Sequence, residues 1–242
     1  MFSPSFPRGI SLACLLAVAS HASASGLQIA PTGLSLVPGG PAQALWLTNT
    51  GDHELHAQVR AYHWSQASGH DDLEATQALV ASPPMLSIAP GGRQLVRVIR
   101  TGQDNTSQGE QSFRLLVDEL PLGEAKQTGV QYVLRYSVPV FVGSVGATPS
   151  LQWSMNVGHE GLEVNIRNTG AAHAQVSALS LAQAGTAPVE LVPGLLGYVL
   201  PGAAMHWTVA LPAGANTTNA SLKALINGEP TDQTLAPGAP SR

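Results

Sequence analysis

Four histidines, His53, His56, His63 and His70, lie near Asp71 and Asp72 and are the residues best suited to holding a metal, since imidazole and carboxylate ligands suit zinc or copper. Their spacing argues against such a site. His56 and His63 are seven residues apart, which puts them on opposite faces of one extended strand, and His53 and His70 fall in turn-like segments. Asp118 and Glu119 are adjacent carboxylates, but neighbours on a strand point apart and cannot work on one substrate as an acid–base pair. Serine, histidine and aspartate occur without a Gly-x-Ser-x-Gly elbow, and neither a phosphate-binding loop nor a dinucleotide fingerprint is present. We therefore expect no catalytic residue, no cofactor and no metal site.

The remaining chemistry is recognition. In Val130–Val142, period-two alternation gives one apolar row, Val130, Tyr132, Leu134, Tyr136 and Val138, and a second row containing Gln131, Val133, Arg135 and Ser137. An ordinary strand of a sandwich could carry this pattern. Its length and its two tyrosines favour a surface that meets a partner, because a phenol ring packs while its hydroxyl stays wet. An exposed apolar edge strand promotes aggregation unless something pairs with it.

The elements that must position this ribbon are all strands. Apolar residues recur with period two through most of the chain, broken every 8–12 residues by Gly, Pro, Asn or Asp. Expected strands are Leu27–Ala30, Leu34–Val37, Gln43–Asn49, His56–Trp64, Met85–Ile88, Arg93–Thr101, Gln111–Glu119 and Val130–Phe141. A second set comprises a strand starting at Leu151, then Leu162–Asn168, Ala174–Leu181, Val189–Leu191, Met205–Leu211 and Ser221–Ile226. Leu47-Thr48-Asn49-Thr50-Gly51 and Ile166-Arg167-Asn168-Thr169-Gly170 repeat one element in both halves, which predicts a shared Ig-like topology.

The N-terminus has Arg8, the apolar run Ile10–Ala19 and the small-x-small segment Ala22-Ser23-Ala24, which reads as a signal peptide over residues 1–24. No stretch reaches the roughly 20 apolar residues of a spanning helix, so no direct membrane insertion is expected. The single cysteine, Cys14, lies in that run, so the processed chain would have neither disulfide nor thiol chemistry. Charged residues make up 11% of the chain and the net charge is −4, which argues against a nucleic-acid partner. The expected organisation is a first Ig-like domain at 25–145 carrying the ribbon, a second at 146–235, and a turn-rich tail at 236–242.

In order, the chain offers strand-Asn-Thr-Gly at Leu47–Gly51, a Pro-Pro-x-x-x-x-x-Pro-Gly loop at Pro83–Gly91, and the Val-Arg strand Leu95–Arg100. Phe113–Pro121 follows with a Glu-x-Pro ending, then the alternating row at Val130–Val142 and a Leu-x-Pro-Gly turn near Val199–Gly202. This order resembles the periplasmic pilus-assembly chaperones, the PapD-like proteins of chaperone–usher systems, and its Tyr-Ser-Val-Pro-Val-Phe-Val ending resembles their divergent archaic or spore-coat-type branch. The resemblance implies an all-β chain of two Ig-like β-sandwich domains joined at an angle with an interdomain cleft. It implies a periplasmic protein whose alternating strand complements an unfinished pilus subunit, whose second partner is an outer-membrane usher, and which can self-associate when free. It further implies basic side chains in the cleft that hold the subunit's C-terminal carboxylate. The family's usual arginine early in the first strand is absent, with Gly33 nearest its place; the family's second basic position falls near Arg135 or Ser137, and Arg135 is the leading anchor, followed by Arg97 and Arg100. The alternatives are a structural pilus or surface subunit, which would carry its donor segment at the N-terminus and not mid-chain, and a periplasmic metal-binding protein.

Overall fold

The structure is a computed structural model and describes residues 26–101, 109–121, 133–143, 146–183, 186–212, 215, 217 and 220–234. The expected signal peptide and tail lie outside these residues, as do Val130 and Tyr132 of the apolar row.

Ten strands build the first sandwich: β1 (Leu27–Ala30), β2 (Leu34–Leu36), β3 (Gln43–Asn49), β4 (Leu55–Ala67), β5 (His70–Ala75), β6 (Leu79–Ser82), β7 (Met85–Ile88), β8 (Arg93–Arg100), β9 (Gln111–Leu120) and β10 (Arg135–Val142). One sheet has the order β1-β3-β8-β6, and the other β2-β10-β9-β4-β5 with β7 also on β4. Alternate residues such as Leu45, Leu47, Val96, Val98, Phe113, Leu115 and Val117 turn inward and are buried between the sheets.

Seven strands form the second sandwich: β11 (Leu151–Val157), β12 (Leu162–Asn168), β13 (Ala174–Ala182), β14 (Val189–Val199), β15 (Ala204–Val209), β16 (Ser221–Ile226) and β17 (Glu229–Thr234). They pair as β11-β12-β15 and β14-β13-β16-β17 over a core that includes Leu162, Val164, Val176, Leu179 and Leu222. Among the described residues every element is a strand and none is a helix.

The repeated Asn-Thr-Gly element acts identically in both sandwiches. Asn49 is buried; its Nδ2 donates to the carbonyls of His53 at 2.7 Å and Ile88 at 2.9 Å, while its Oδ1 accepts from Gly51 N at 2.9 Å. Asn168 donates to Ala172 O at 2.7 Å and Val199 O at 3.0 Å and accepts from Gly170 N at 2.9 Å. Ile88 and Val199 both precede a Pro-Gly turn. Gly92 N donates to Ala89 O and Ala203 N to Leu200 O, with Gly91 at φ +68° and Gly202 at φ +77°, the left-handed position that glycine occupies without steric cost.

Four departures from the expected strands have local causes. β5 is exposed along its whole length and shows no apolar alternation; it exists through backbone pairing with β4, Tyr62↔Ala75 to Ala67↔His70. β6 is only four residues long, and the polar β17 escapes a search for apolar alternation. β14 continues from Val189 to Val199 through Pro193-Gly194, which reads as a turn; it is an edge strand, where a missing N–H is tolerated. Of the described residues in the expected strand Val130–Phe141, those from Arg135 on form β10, which runs to Val142.

Candidate functional site

β10 pairs antiparallel with β9 along its full length, from Arg135↔Asp118 to Val142↔Gln111. On its other side β2 pairs with it only from Val140↔Leu34 to Val142↔Leu36. Among the described residues, therefore, Arg135–Pro139 have a neighbour strand on one side and an open edge on the other. Glu119 N donates to Leu134 O at 2.9 Å, which makes Leu134 and Glu119 a hydrogen-bonded pair. Pairing type alternates along the ladder, so Arg135, Ser137 and Pro139 turn their backbone groups away from β9 and toward the open edge.

The expected apolar row divides along this strand. Val138 is fully buried and belongs to the core of its own domain, and Tyr136 is half-buried against that core with its hydroxyl donating to Leu27 O at 2.7 Å. This corrects the expected row at its C-terminal end: inward-facing residues of a sandwich strand are consumed by their own core wherever the opposite sheet covers them. Leu134, half-buried, is the last described residue of the row beyond the strand proper, and Val133 beside it is 50% exposed.

The outer face of the same sheet carries the polar row. Cross-strand register sets Arg135 beside Asp118, Pro139 beside Arg114 and Phe141 beside Ser112, with Arg114 facing Tyr62 of β4 on its other side. Asp118, almost buried, is bound by Arg135 Nε on one oxygen and by Arg60 Nη2 at 2.7 Å on the other. Burial raises its pKa, but the hydrogen bonds from Arg135 and Arg60 outweigh this and hold the carboxyl below the usual carboxylate range.

The two sandwiches meet where β4, β9 and β10 end against the Val199–Ala203 turn. Trp64, Phe141, Leu200 and Ala203 are buried together there, with Tyr198 packed on them. Gln66 stitches the backbones: its Nε2 donates to Tyr198 O and its Oε1 accepts from Leu200 N, both at 2.9 Å. The His173 ring stacks on Phe141 with centroids 3.4 Å apart and planes at 3°, and Glu110 accepts from both His173 N and Nδ1. A cavity of about 400 Å³ opens at this junction, lined by residues including His63, Gln66, Glu110, Ser112 and Leu200.

Arg114 reaches the junction and was not among the expected anchors. Its guanidinium lies 3.7 Å from the Trp64 ring centroid and 5.2 Å from that of Tyr198, spanning both domains. Burial lowers its pKa, although Asp71 and Tyr198 act the other way, and an arginine stays cationic regardless. Among the described residues, no carboxylate forms an ion pair with it. The expected anchors stand elsewhere. Arg135 is already ion-paired four residues along β9 from Arg114, roughly 13 Å at the usual strand rise. Arg97 is exposed on the outer face of the opposite sheet, between Ala44 and Ser82, and so is not on the ribbon's sheet. Arg100 donates to Gln111 Oε1 at 3.0 Å, and Gln111 lines the junction cavity, so it stands just behind the cleft. Alternation could flag Arg114 as outward-facing within Phe113–Val117, but only the β9–β10 register shows that it fills the place beside Pro139. The histidines do not converge: His56 pairs with Leu120 and His63 with Phe113 at opposite ends of one ladder. Among the described residues no group of three or more His, Cys, Asp or Glu is placed to hold a metal, and no helix is long and apolar enough to cross a membrane.

No curated protein sequence matches the chain. Solved structures share its fold. The chaperone–tip adhesion subunit complex CsuC–CsuE of the archaic Csu pili of Acinetobacter baumannii is 24% identical with a TM-score of 0.65, over 85% of this chain and 97% of that one. The SafA pilin–SafB chaperone complex of Salmonella enterica gives 13% and 0.62, over 88% and 97%, and the E. coli chaperone DraB 17% and 0.58, over 88% and 98%. Residues 26–143, which hold the whole of the first sandwich with its open edge, match the PapD N-terminal domain of the pili and flagellar-assembly chaperones, and that sandwich belongs to this domain family.

Proposed function

We propose that this chain is a periplasmic chaperone that holds an unfinished pilus subunit by lending it the segment leading into β10. The observation that carries this is the one-sided pairing of β10: among the described residues Arg135–Pro139 present an open edge next to Leu134, and the expected apolar residues Tyr132 and Val130 precede Leu134 in the sequence. Main-chain bonds along such an edge pair with any extended guest, and apolar side chains at every second position fill successive pockets of the guest's core. Three such side chains burying on the order of 100 Å² each contribute about 7–8 kcal/mol before the cost of association.

Arg114 supplies the second contact. A cation at the domain junction that forms no direct ion pair among the described residues, with Asp71 the nearby carboxylate that acts on it, suits a chain-terminal carboxylate, which an arginine fork can bind with two hydrogen bonds. In this reading Arg114 takes the anchoring role expected of Arg135, whose own charge is committed to Asp118. Likeness to the archaic Csu complex favours the archaic branch, and the match to a pilus-assembly chaperone domain supports a reading in which the captured subunit is delivered to an outer-membrane usher.

The test is capture of the pilus subunit encoded with this chain, refolded from denaturant in its presence. Leu134→Glu would place an unpaired charge in an apolar pocket. It should leave the chaperone folded and prevent a soluble 1:1 complex; full capture by this variant would refute the donor assignment.

A further inference from the structure

We propose that Asp118 is a positioning residue that clamps the start of the edge strand, fixing the direction in which the ribbon leaves the sheet. Its use in capture rests on the donor reading above; the clamp itself does not.

Asp118 lies on the middle one of three adjacent strands. Its two oxygens bind Arg60 from β4 and Arg135 from β10, so a single carboxylate ties β4, β9 and β10 together across the sheet. The next residue secures the backbone. Glu119 N donates to Leu134 O at 2.9 Å, and Leu134 N donates back to Glu119 Oε2 at 3.2 Å. These contacts sit where β10 needs them, because beyond Val140 toward its N-terminus β2 no longer supports it. A strand held from one side opens locally more readily than one held from both. A guest that must pair with the open edge binds better when that edge is already straight, since the ordering cost has been met beforehand.

The charge arithmetic makes the device asymmetric. With Asp118 ionised, two cations share one anion and the three strands attract. With it neutral, Arg60 and Arg135 face each other across β9 with nothing between them, and attraction becomes repulsion. The side chain of Asp118 is only 11% exposed, while those of Arg60 and Arg135 are 39% and 63% exposed, so water moderates the repulsion between the two cations.

Hydrogen exchange on the free, full chain tests the clamp without any partner. In Asp118→Asn, the amides in 133–139 that face β9, those of Leu134, Tyr136 and Val138, should exchange at least about tenfold faster, as the charge is lost from both arginine contacts, while β3, β8, β13 and β16 are unchanged. Asp118→Glu, which keeps the charge, should restore most of the protection. Should Asp118→Asn fold poorly, Arg60→Gln removes one arm of the clamp and should produce a smaller loss in the same segment. Unchanged exchange at 133–139, or a loss spread evenly over the first domain, would overturn the proposal. If exchange responds as expected yet Leu134→Glu still captures subunit, the clamp stands and the donor reading falls; normal exchange in Asp118→Asn with capture lost in Leu134→Glu gives the reverse.

Discussion

The two sandwiches close in the same way and end differently. In each, a buried asparagine joins the end of one strand to the residue before a Pro-Gly turn, and the threonine after it binds a carbonyl at the domain's beginning: Thr50 N to Gly26 O and Thr169 N to Ser150 O. Their last strands part company. β17 is turned back on β16 by Asn227-Gly228, both at positive φ, and its edge offers Glu229, Pro230 and Asp232, a set that discourages pairing. β10 is the last strand of its domain too, but its open side leads into Leu134 and Tyr136. A common framework thus yields a protected edge in one copy and an open edge in the other, and the difference lies in a few edge side chains and the length of one neighbour, β2.

The shared lock is the place where a single change should do most harm. Asn49→Ala or Asn168→Ala strands two buried carbonyls and an amide, and each should destabilise its own sandwich by about 3 kcal/mol in urea unfolding. A loss below about 1 kcal/mol in either would break the equivalence of the domains. Next in size, Arg114→Ala should weaken subunit capture by about tenfold, near 1.4 kcal/mol for one charge-assisted contact and separate from the stability lost with its stacking on Trp64, whereas Arg97→Ala on the opposite sheet should leave capture as it is. The smallest effect is on the edge alone. Because Asp118 titrates below its unfolded value, its contribution is fully present above the ordinary carboxylate range and fades as pH falls through the depressed native value. Acid titration of Asp118→Asn should lack that component.

Much of this was legible in advance. Period-two alternation located the strands that bury one face, and the paired Asn-Thr-Gly elements announced two related domains before any contact was known. What alternation could not report was pairing. β5 has no apolar face, β17 announces itself only through Asn227-Gly228, and the limit of the apolar row at Tyr136 depends on where the opposite sheet stops covering it. Arg114 was invisible as a site residue for the same reason: its neighbours Trp64 and Tyr198 are 50 and 84 positions away in sequence.

Pro139 carries a consequence for specificity. It stands where β10 passes from one-sided to two-sided pairing, at a position whose amide would otherwise point outward, and proline has no amide hydrogen to offer. A visiting chain sliding toward β2 would find an acceptor there but no donor. Its alignment is thus bounded by an absent hydrogen, a stop that works on the visitor's main chain whatever its side chains.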